Sequence, residues 1–162
     1  FAEEVATAAA RAAVTADRRH AEWLCAQRAV DAAWQAYEAA DRAARRTIRA
    51  AAFPTPATPP TTTEHAERER RLHRAAQAAH ARGELSTDQL IDAMSHRNGF
   101  DPRMHPFEQD AMMRRLARDR LLRVYLTASD LERTAWRAAD VAMYRIKEAG
   151  KNGVGIARGD EN

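Results

Sequence analysis

Large apolar side chains in the first fifty residues recur at the spacing of one face of a helix. They are separated by seven, four, three, seven and four positions, in the order Trp23, Val30, Trp34, Tyr37, Ala44 and Ile48. This spacing is typical of the narrow apolar stripe of a coiled coil. The same segment contains no glycine and no proline. Residues 1–52 are therefore predicted to form one long amphipathic helix with a coiled-coil-like stripe.

A proline-rich segment, FPTPATPPTTT, follows this helix at residues 53–63. Proline has no backbone N–H to donate within a helix, and several prolines together favour an extended, semi-rigid connector. Residues 53–63 are therefore predicted to be a linker, and they mark the clearest boundary in the chain.

Residues 64–150 are predicted to form a helical domain. Its first helix covers residues 64–82 and ends at Gly83, a residue suited to a helix C-cap. A short helix follows, because Ser86 and Gln89 have the spacing of a capping box.

A longer helix is predicted to begin at Pro106, because proline is favourable at the first helical position. It is expected to break near residues 127–130, where Ser129 and Glu132 have the spacing of another capping box. The last helix extends to Gly150. Its large apolar residues are Leu131, Trp136, Val141, Met143, Tyr144 and Ile146.

Composition supports an all-α fold. Nineteen of the first fifty residues are alanine, and the whole chain of 162 residues has only six glycines and six prolines. Alanine favours helices, and strand-forming residues are sparse. The predicted architecture is a long N-terminal helix, a Pro-rich linker, a bundle of about four helices and a flexible C-terminal tail of residues 151–162.

Charge and cysteine content indicate a soluble protein. The 26 basic and 23 acidic side chains alternate along the chain, so the net charge of +3 is spread over ion-paired helix surfaces. The single cysteine, Cys25, has no partner for a disulfide within the chain. No signal peptide or apolar run of membrane-spanning length is evident. The expected location is the cytoplasm, with no membrane contact.

The sequence contains no recognisable catalytic, metal-binding or nucleotide-binding motif. No two of the six histidines are spaced i, i+4, and one cysteine cannot complete a Cys-His zinc set. Nucleophile elbows, phosphate-binding loops and dinucleotide glycine clusters are also absent from the sequence. The expectation is a protein without catalytic residues, metal or cofactor.

The stretch AADVAMYRIKEAGKNGVGIA, residues 138–157, carries a family resemblance. Residues 129–154 resemble the last helix and turn of a GGDEF-type diguanylate cyclase, an enzyme that joins two GTP molecules into a cyclic dinucleotide. The resemblance implies that Lys147 and Lys151 approach nucleotide phosphates. The shared residues are Ala139, Asp140, Ala142, Met143, Tyr144, Lys147, Gly150, Lys151 and Asn152.

The resemblance is partial. Ile146 stands where the family usually has a small residue, Lys151 stands where arginine is commoner, and the family's Gly-Gly-acid-Glu-Phe hairpin occurs nowhere in the chain. Phosphoryl transfer needs metal-binding carboxylates together with a phosphate cradle. The chain is therefore predicted not to be an enzyme. Its middle part, residues 67–110, resembles uncharacterised helical proteins of actinobacteria, which implies a bacterial source and no particular function.

The predicted function is a non-enzymatic regulatory or adaptor role through helix-mediated protein–protein interaction. Aromatic side chains on the N-terminal stripe are suited to anchor a protein partner or a second copy of the chain. The same residues suit an intramolecular core equally well, and the sequence leaves both open. The candidate interface residues are Trp23, Val30, Trp34, Tyr37 and Ile48.

Two alternative functions have candidate residues of their own. A receptor for a nucleotide or cyclic dinucleotide would contact phosphates through Arg137, Lys147 and Lys151. A nucleic-acid-associated helical protein would use the basic cluster Arg42, Arg45, Arg46 and Arg49. Because this cluster alternates with alanine, only weak nucleic-acid binding is predicted for it.

Overall fold

The protein is helical in every regular element of the computed structural model, which describes residues 2–53 and 61–157, with side-chain burial for 3–50, 52–53 and 61–150. No strand occurs within these residues, so the predicted all-α fold with a long N-terminal helix is confirmed. The helices are α1 (Ala2–Ala51), α2 (Thr62–Ala81), α3 (Thr87–Met94) and α4 (Pro106–Ala157).

Helix α1 ends before the predicted linker of residues 53–63, and α2 begins within it. Helix α1 ends at Ala51, and residues 54–60 lie outside the described part of the chain. Helix α2 begins slightly earlier than predicted because Thr61 is its N-cap. The Thr61 hydroxyl accepts from the Glu64 N–H at 3.3 Å, and the Thr61 N–H donates to the Glu64 carboxylate at 2.7 Å. This reciprocal capping box satisfies two terminal N–H groups.

The predicted break near residues 127–130 does not occur. Helix α4 is continuous from Pro106 to Ala157, so three helices follow the linker in place of about four. The Glu132 side chain accepts a hydrogen bond from the Trp23 indole, which engages the carboxylate that a local capping box would need. The helix also continues past Gly150 into the predicted tail, and residues 158–162 lie outside the described residues.

The chain forms two compact units. The first combines α1 up to Ala32 with α4 from Leu126, and the second comprises Ala33–Tyr125. Both long helices therefore contribute to each unit, and the predicted linker lies within the second unit.

Alanines line the packed stripes of the first unit. On α1 the less exposed positions repeat every three or four residues, which is the spacing of a coiled-coil stripe. On α4 the stripe follows the same rhythm, and small side chains on it permit close helix approach. The α1 stripe is Ala9, Ala12, Ala16, Arg19, Trp23, Ala26 and Val30. The α4 stripe is Ala128, Glu132, Ala135, Ala139, Ala142, Ile146 and Ala149.

The second unit contains the main hydrophobic core. Leu72 of α2, Leu85 and Phe100 are its largest fully buried side chains, and each contributes roughly 1.5–3 kcal/mol by burial. The buried cluster also includes Ala76, Ala79, Ala93 and Met113, with Leu90, Met112 and Leu116 packed against it.

The turns around this core follow the predicted capping chemistry. Gly83 has φ +73°, a conformation that favours glycine, and ends α2 as predicted. The Ser86–Gln89 capping box is formed in both directions at the start of α3. Pro106 is the first residue of α4, also as predicted. Among the described helices, none combines the length and apolar character that a bilayer crossing requires.

Candidate functional site

Trp23 belongs to a contact inside the first unit. Its side chain is half-buried, and its indole N–H donates to the carboxylate of Glu132 on α4. The imidazole of His20 lies beside it, with a centroid separation of 5.4 Å. Trp23 therefore serves intramolecular packing between α1 and α4, one of the two roles that the sequence left open.

Trp34 and Tyr37 form an aromatic cluster in the second unit with Tyr125 of α4. The Trp34 ring centroid lies 5.5 Å from that of Tyr37 and 5.1 Å from that of Tyr125. These separations are typical of favourable aromatic pairs. Trp34 nevertheless keeps 41% of its surface exposed, so part of the indole faces solvent.

The packed stripe of α1 differs from the predicted one at two positions. Ile48 is 44% exposed, and the less exposed neighbours of Trp34 and Ile48 are Ala33 and Thr47. Of the other candidate interface residues, Trp23, Val30 and Tyr37 are half-buried. Ala33 and Thr47 therefore occupy the packed stripe, and the larger side chains of Trp34 and Ile48 lie beside it.

An exposed surface on α4 was missed by sequence reasoning. Trp136 is 51% and Met143 47% exposed, although both are large apolar residues. They lie one position after Ala135 and Ala142, which occupy the packed stripe. The heptad spacing of alanines on α4 was the sequence feature that could have revealed it. We call this the α4 surface, and it consists of Arg133, Trp136, Asp140, Met143 and Lys147, all exposed.

Two of the three candidate phosphate contacts have described side chains. Arg137 and Lys147 are both exposed on α4. Ten residues of helix separate them by about 15 Å along the axis. The side chain of Lys151 lies outside the described side chains.

The basic cluster near the end of α1 is partly neutralised by its own helix. Arg42 pairs with Glu38 at 3.6 Å, and Arg45 pairs with Asp41 at 2.7 Å, one turn away in each case. Arg46 and Arg49 are exposed on the same segment. Such i, i+4 pairs are typical of a solvated helix surface.

A second feature missed from the sequence is a group of two histidines and a glutamate in the second unit, which we call the His-Glu cluster: Glu69, His73 and His96. The two imidazole planes are nearly parallel, at 16°, with centroids 5.2 Å apart, and the rings meet through their Nε2 atoms, 3.0 Å apart. His96 Nε2 also lies 3.3 Å from Glu69 Oε1. Glu69 and His73 are half-buried, and His96 is exposed.

Local structure explains how these three side chains meet. Glu69 and His73 are four residues apart and share one face of α2. His96 follows the C-cap of α3 and has φ +54°. The spacing of the histidines does not reveal the cluster, because its i, i+4 pair is Glu69 and His73, and because His96 reaches α2 only through a turn of the folded chain.

Comparisons with known proteins supply no relative: no family model, curated protein or solved structure matches the chain. The GGDEF resemblance of residues 129–154 therefore remains a prediction from sequence.

Proposed function

We propose that the protein is a non-enzymatic regulatory or adaptor protein that acts through helix-mediated self-association on the α4 surface. The observation that carries the proposal is the exposure of Trp136 and Met143, seven residues apart on one face of α4. Large apolar residues that recur on an exposed helix face favour burial against a partner.

The spacing of the α4 surface suits another α-helix. Its members follow one another at intervals of three, four, three and four residues, from Arg133 to Lys147. This is the spacing of the stripe through which coiled-coil helices pack. Tryptophan is also among the residues that contribute most to binding energy when buried at interfaces.

The charges on the α4 surface favour a second copy of the chain as the partner. In an antiparallel pair with the two Trp136 side chains facing each other, positions before Trp136 on one helix face positions after it on the other. Arg133 then lies within one residue of the position opposite Asp140 on each side of the two-fold axis, and Ser129 lies opposite Met143. A symmetric dimer needs this kind of self-complementary surface.

Local pairing of Arg133 competes only weakly with this arrangement. Arg133 forms an ion pair with Asp130 on the same turn, and both side chains are well exposed. Exposed ion pairs contribute about 0.2–1 kcal/mol. Arg133 can therefore leave Asp130 and pair with Asp140 of the second copy at little cost in free energy.

Sedimentation equilibrium over a concentration series tests the proposal. The wild-type chain is expected to form a dimer, and the double variant Trp136→Ala, Met143→Ala to be a monomer. Val141→Ala is the matched control, because Val141 is also 51% exposed on α4 but lies on a different face. It should leave the dimer intact.

Charge exchange tests the antiparallel register. Arg133→Asp alone should weaken the dimer, since two acidic groups then face each other at each end. Arg133→Asp combined with Asp140→Arg should restore it. A monomeric wild type, or a dimer that survives loss of Trp136 and Met143, would overturn self-association through this surface.

A further inference from the structure

The His-Glu cluster brings three electron-pair donors together within the second unit. One ligand atom each from Glu69, His73 and His96 lies within 4.8 Å of the other two. Two of the separations are shorter, 3.0 Å between the imidazole Nε2 atoms and 3.3 Å between His96 Nε2 and Glu69 Oε1. Among the residues that the structure describes, these three form the group with this property.

With neutral imidazoles, hydrogen bonds satisfy this arrangement incompletely. A neutral imidazole carries one proton on its two nitrogens. If His96 Nε2 holds the proton, two acceptors share it, namely His73 Nε2 and the Glu69 carboxylate. If His96 Nε2 lacks the proton, its lone pair faces the negative carboxylate. A cation between the three atoms would accept a lone pair from each of them.

Two of the three separations are close to the edges of a metal coordination shell. Bonds from zinc to imidazole nitrogen or carboxylate oxygen are about 2.0–2.2 Å long, so two such ligands at a tetrahedral angle are roughly 3.3–3.6 Å apart. The observed 3.0 and 3.3 Å differ from this range by a few tenths of an ångström or less. The imidazoles must rotate before their lone pairs converge on one ion, because centroids 5.2 Å apart and Nε2 atoms 3.0 Å apart mean that the two Nε2 atoms now face each other.

His96 occupies a backbone position where glycine is the usual residue. The Arg97 N–H donates to the Asp92 carbonyl at 2.9 Å, and the His96 N–H donates to the Ala93 carbonyl at 3.4 Å. These two bonds form a Schellman motif, whose left-handed residue is most often glycine. Local folding thus favours glycine over histidine at position 96. The imidazole that stands there instead meets Glu69 and His73.

We propose that the His-Glu cluster binds one divalent transition-metal cation, best matched by zinc, through Glu69, His73 and His96. Two imidazoles and a carboxylate form a known type of zinc ligand set, and nickel and cobalt accept the same donors. Three protein ligands leave a position for water or for a donor from another molecule. The cation clamps the end of α3 to α2. This proposal is independent of self-association on α4.

Isothermal titration of the full chain with zinc chloride, followed by thermal unfolding with and without zinc, tests the site. The wild type is expected to bind one zinc ion per chain. Its Tm should rise with zinc concentration, because a ligand that binds only the folded state stabilises it.

His96→Gly is the decisive variant. Glycine is favoured at this left-handed position, so circular dichroism without zinc should show an intact helical fold. Zinc affinity should nevertheless fall by more than the roughly 10–100-fold that loss of an outer-shell partner costs at metal sites. Glu69→Gln, which keeps the shape of the side chain but removes its charge, should also weaken binding.

His20→Ala is the matched control, since it also removes one exposed histidine but lies on α1 in the first unit. Its zinc affinity and its Tm shift should equal those of the wild type. A wild type that binds no zinc would overturn the proposal. Equal affinities in His96→Gly and His20→Ala would overturn it too, because they would indicate adventitious binding by surface histidines.

Discussion

Trp23 of α1 donates its indole N–H to the carboxylate of Glu132 of α4, in the first unit. Both side chains are half-buried on stripes that otherwise consist mostly of alanine. Alanine buries little apolar area, so the few larger groups contribute a large share of the packing energy. A directional hydrogen bond between them also favours one register of the two helices over its neighbours.

Glu132→Ala is expected to destabilise the protein by about 1–2 kcal/mol, because a partly buried indole N–H then loses its acceptor. Glu132→Gln should cost clearly less, since the amide oxygen still accepts the bond. Urea unfolding followed by circular dichroism measures both values. Equal losses in the two variants would show that the charge of Glu132, and not its hydrogen bond to Trp23, is what matters.

Much of the fold was predictable because its determinants are local. Glycine at position 83 and the capping box at Ser86 act over a few residues, and the structure contains both. The break predicted at Ser129 does not occur, and Glu132, the other half of that capping box, instead accepts a hydrogen bond from Trp23, 109 positions away. Sequence spacing alone does not show such a competitor.

The packed faces of the long helices were harder to predict, because alanines occupy them and larger apolar residues lie outside them. Large apolar residues normally mark the buried face of a helix, yet Trp136 and Met143 are about half exposed while Ala139 and Ala142 are buried. The His-Glu cluster escaped for a different reason. It depends on the turn after α3 that brings His96 next to α2, and no regular spacing in the sequence indicates this contact.

Trp34→Ala is expected to cost about 2 kcal/mol of unfolding free energy. A fully buried large aromatic loses roughly 3–5 kcal/mol on truncation, but Trp34 is only partly covered, by Tyr37 and Tyr125. The control is Arg28→Ala on the exposed side of α1, which should cost less than about 0.5 kcal/mol. If both variants unfold at the same denaturant concentration, the aromatic cluster does not stabilise the fold.

Two glycines should respond to alanine in opposite directions. Gly83 has φ +73°, so Gly83→Ala should destabilise the protein by about 1 kcal/mol or more. Gly150 lies inside α4, and a Cβ there would meet nothing within 4 Å. Gly150→Ala should therefore stabilise by about 0.5–1 kcal/mol. Thermal unfolding of the two variants checks the signs, and a destabilised Gly150→Ala would contradict a helical Gly150.

The chain is expected not to convert GTP into a cyclic dinucleotide in the presence of magnesium. Phosphoryl transfer needs metal-binding carboxylates beside the phosphates, and the sequence lacks the hairpin that supplies them in GGDEF cyclases. Chromatography of nucleotides after prolonged incubation is the measurement. Steady product formation that Lys147→Ala abolishes would contradict the prediction and revive the enzymatic interpretation of residues 129–154.

Glu64 should give the start of α2 a stability that depends on pH. The Thr61 backbone N–H, and then the Thr61 side chain, hydrogen-bond the Glu64 carboxylate and lower its pKa below the usual glutamate range. A carboxyl whose pKa is lower in the folded state stabilises that state when it is ionised. The contribution is therefore complete above the ordinary glutamate pKa and is lost as pH falls through the lowered value.

Carboxyl NMR titration should locate the Glu64 pKa below the usual range, and Thr61→Ala should raise it by removing the hydroxyl. Glu64→Gln provides the control, because glutamine keeps the capping geometry but does not titrate. Amide exchange over the first turn of α2 should increase on acidification in the wild type. In Glu64→Gln this acid-dependent increase, corrected for the intrinsic exchange rate, should be absent. The same acid response in both proteins would assign it to another group.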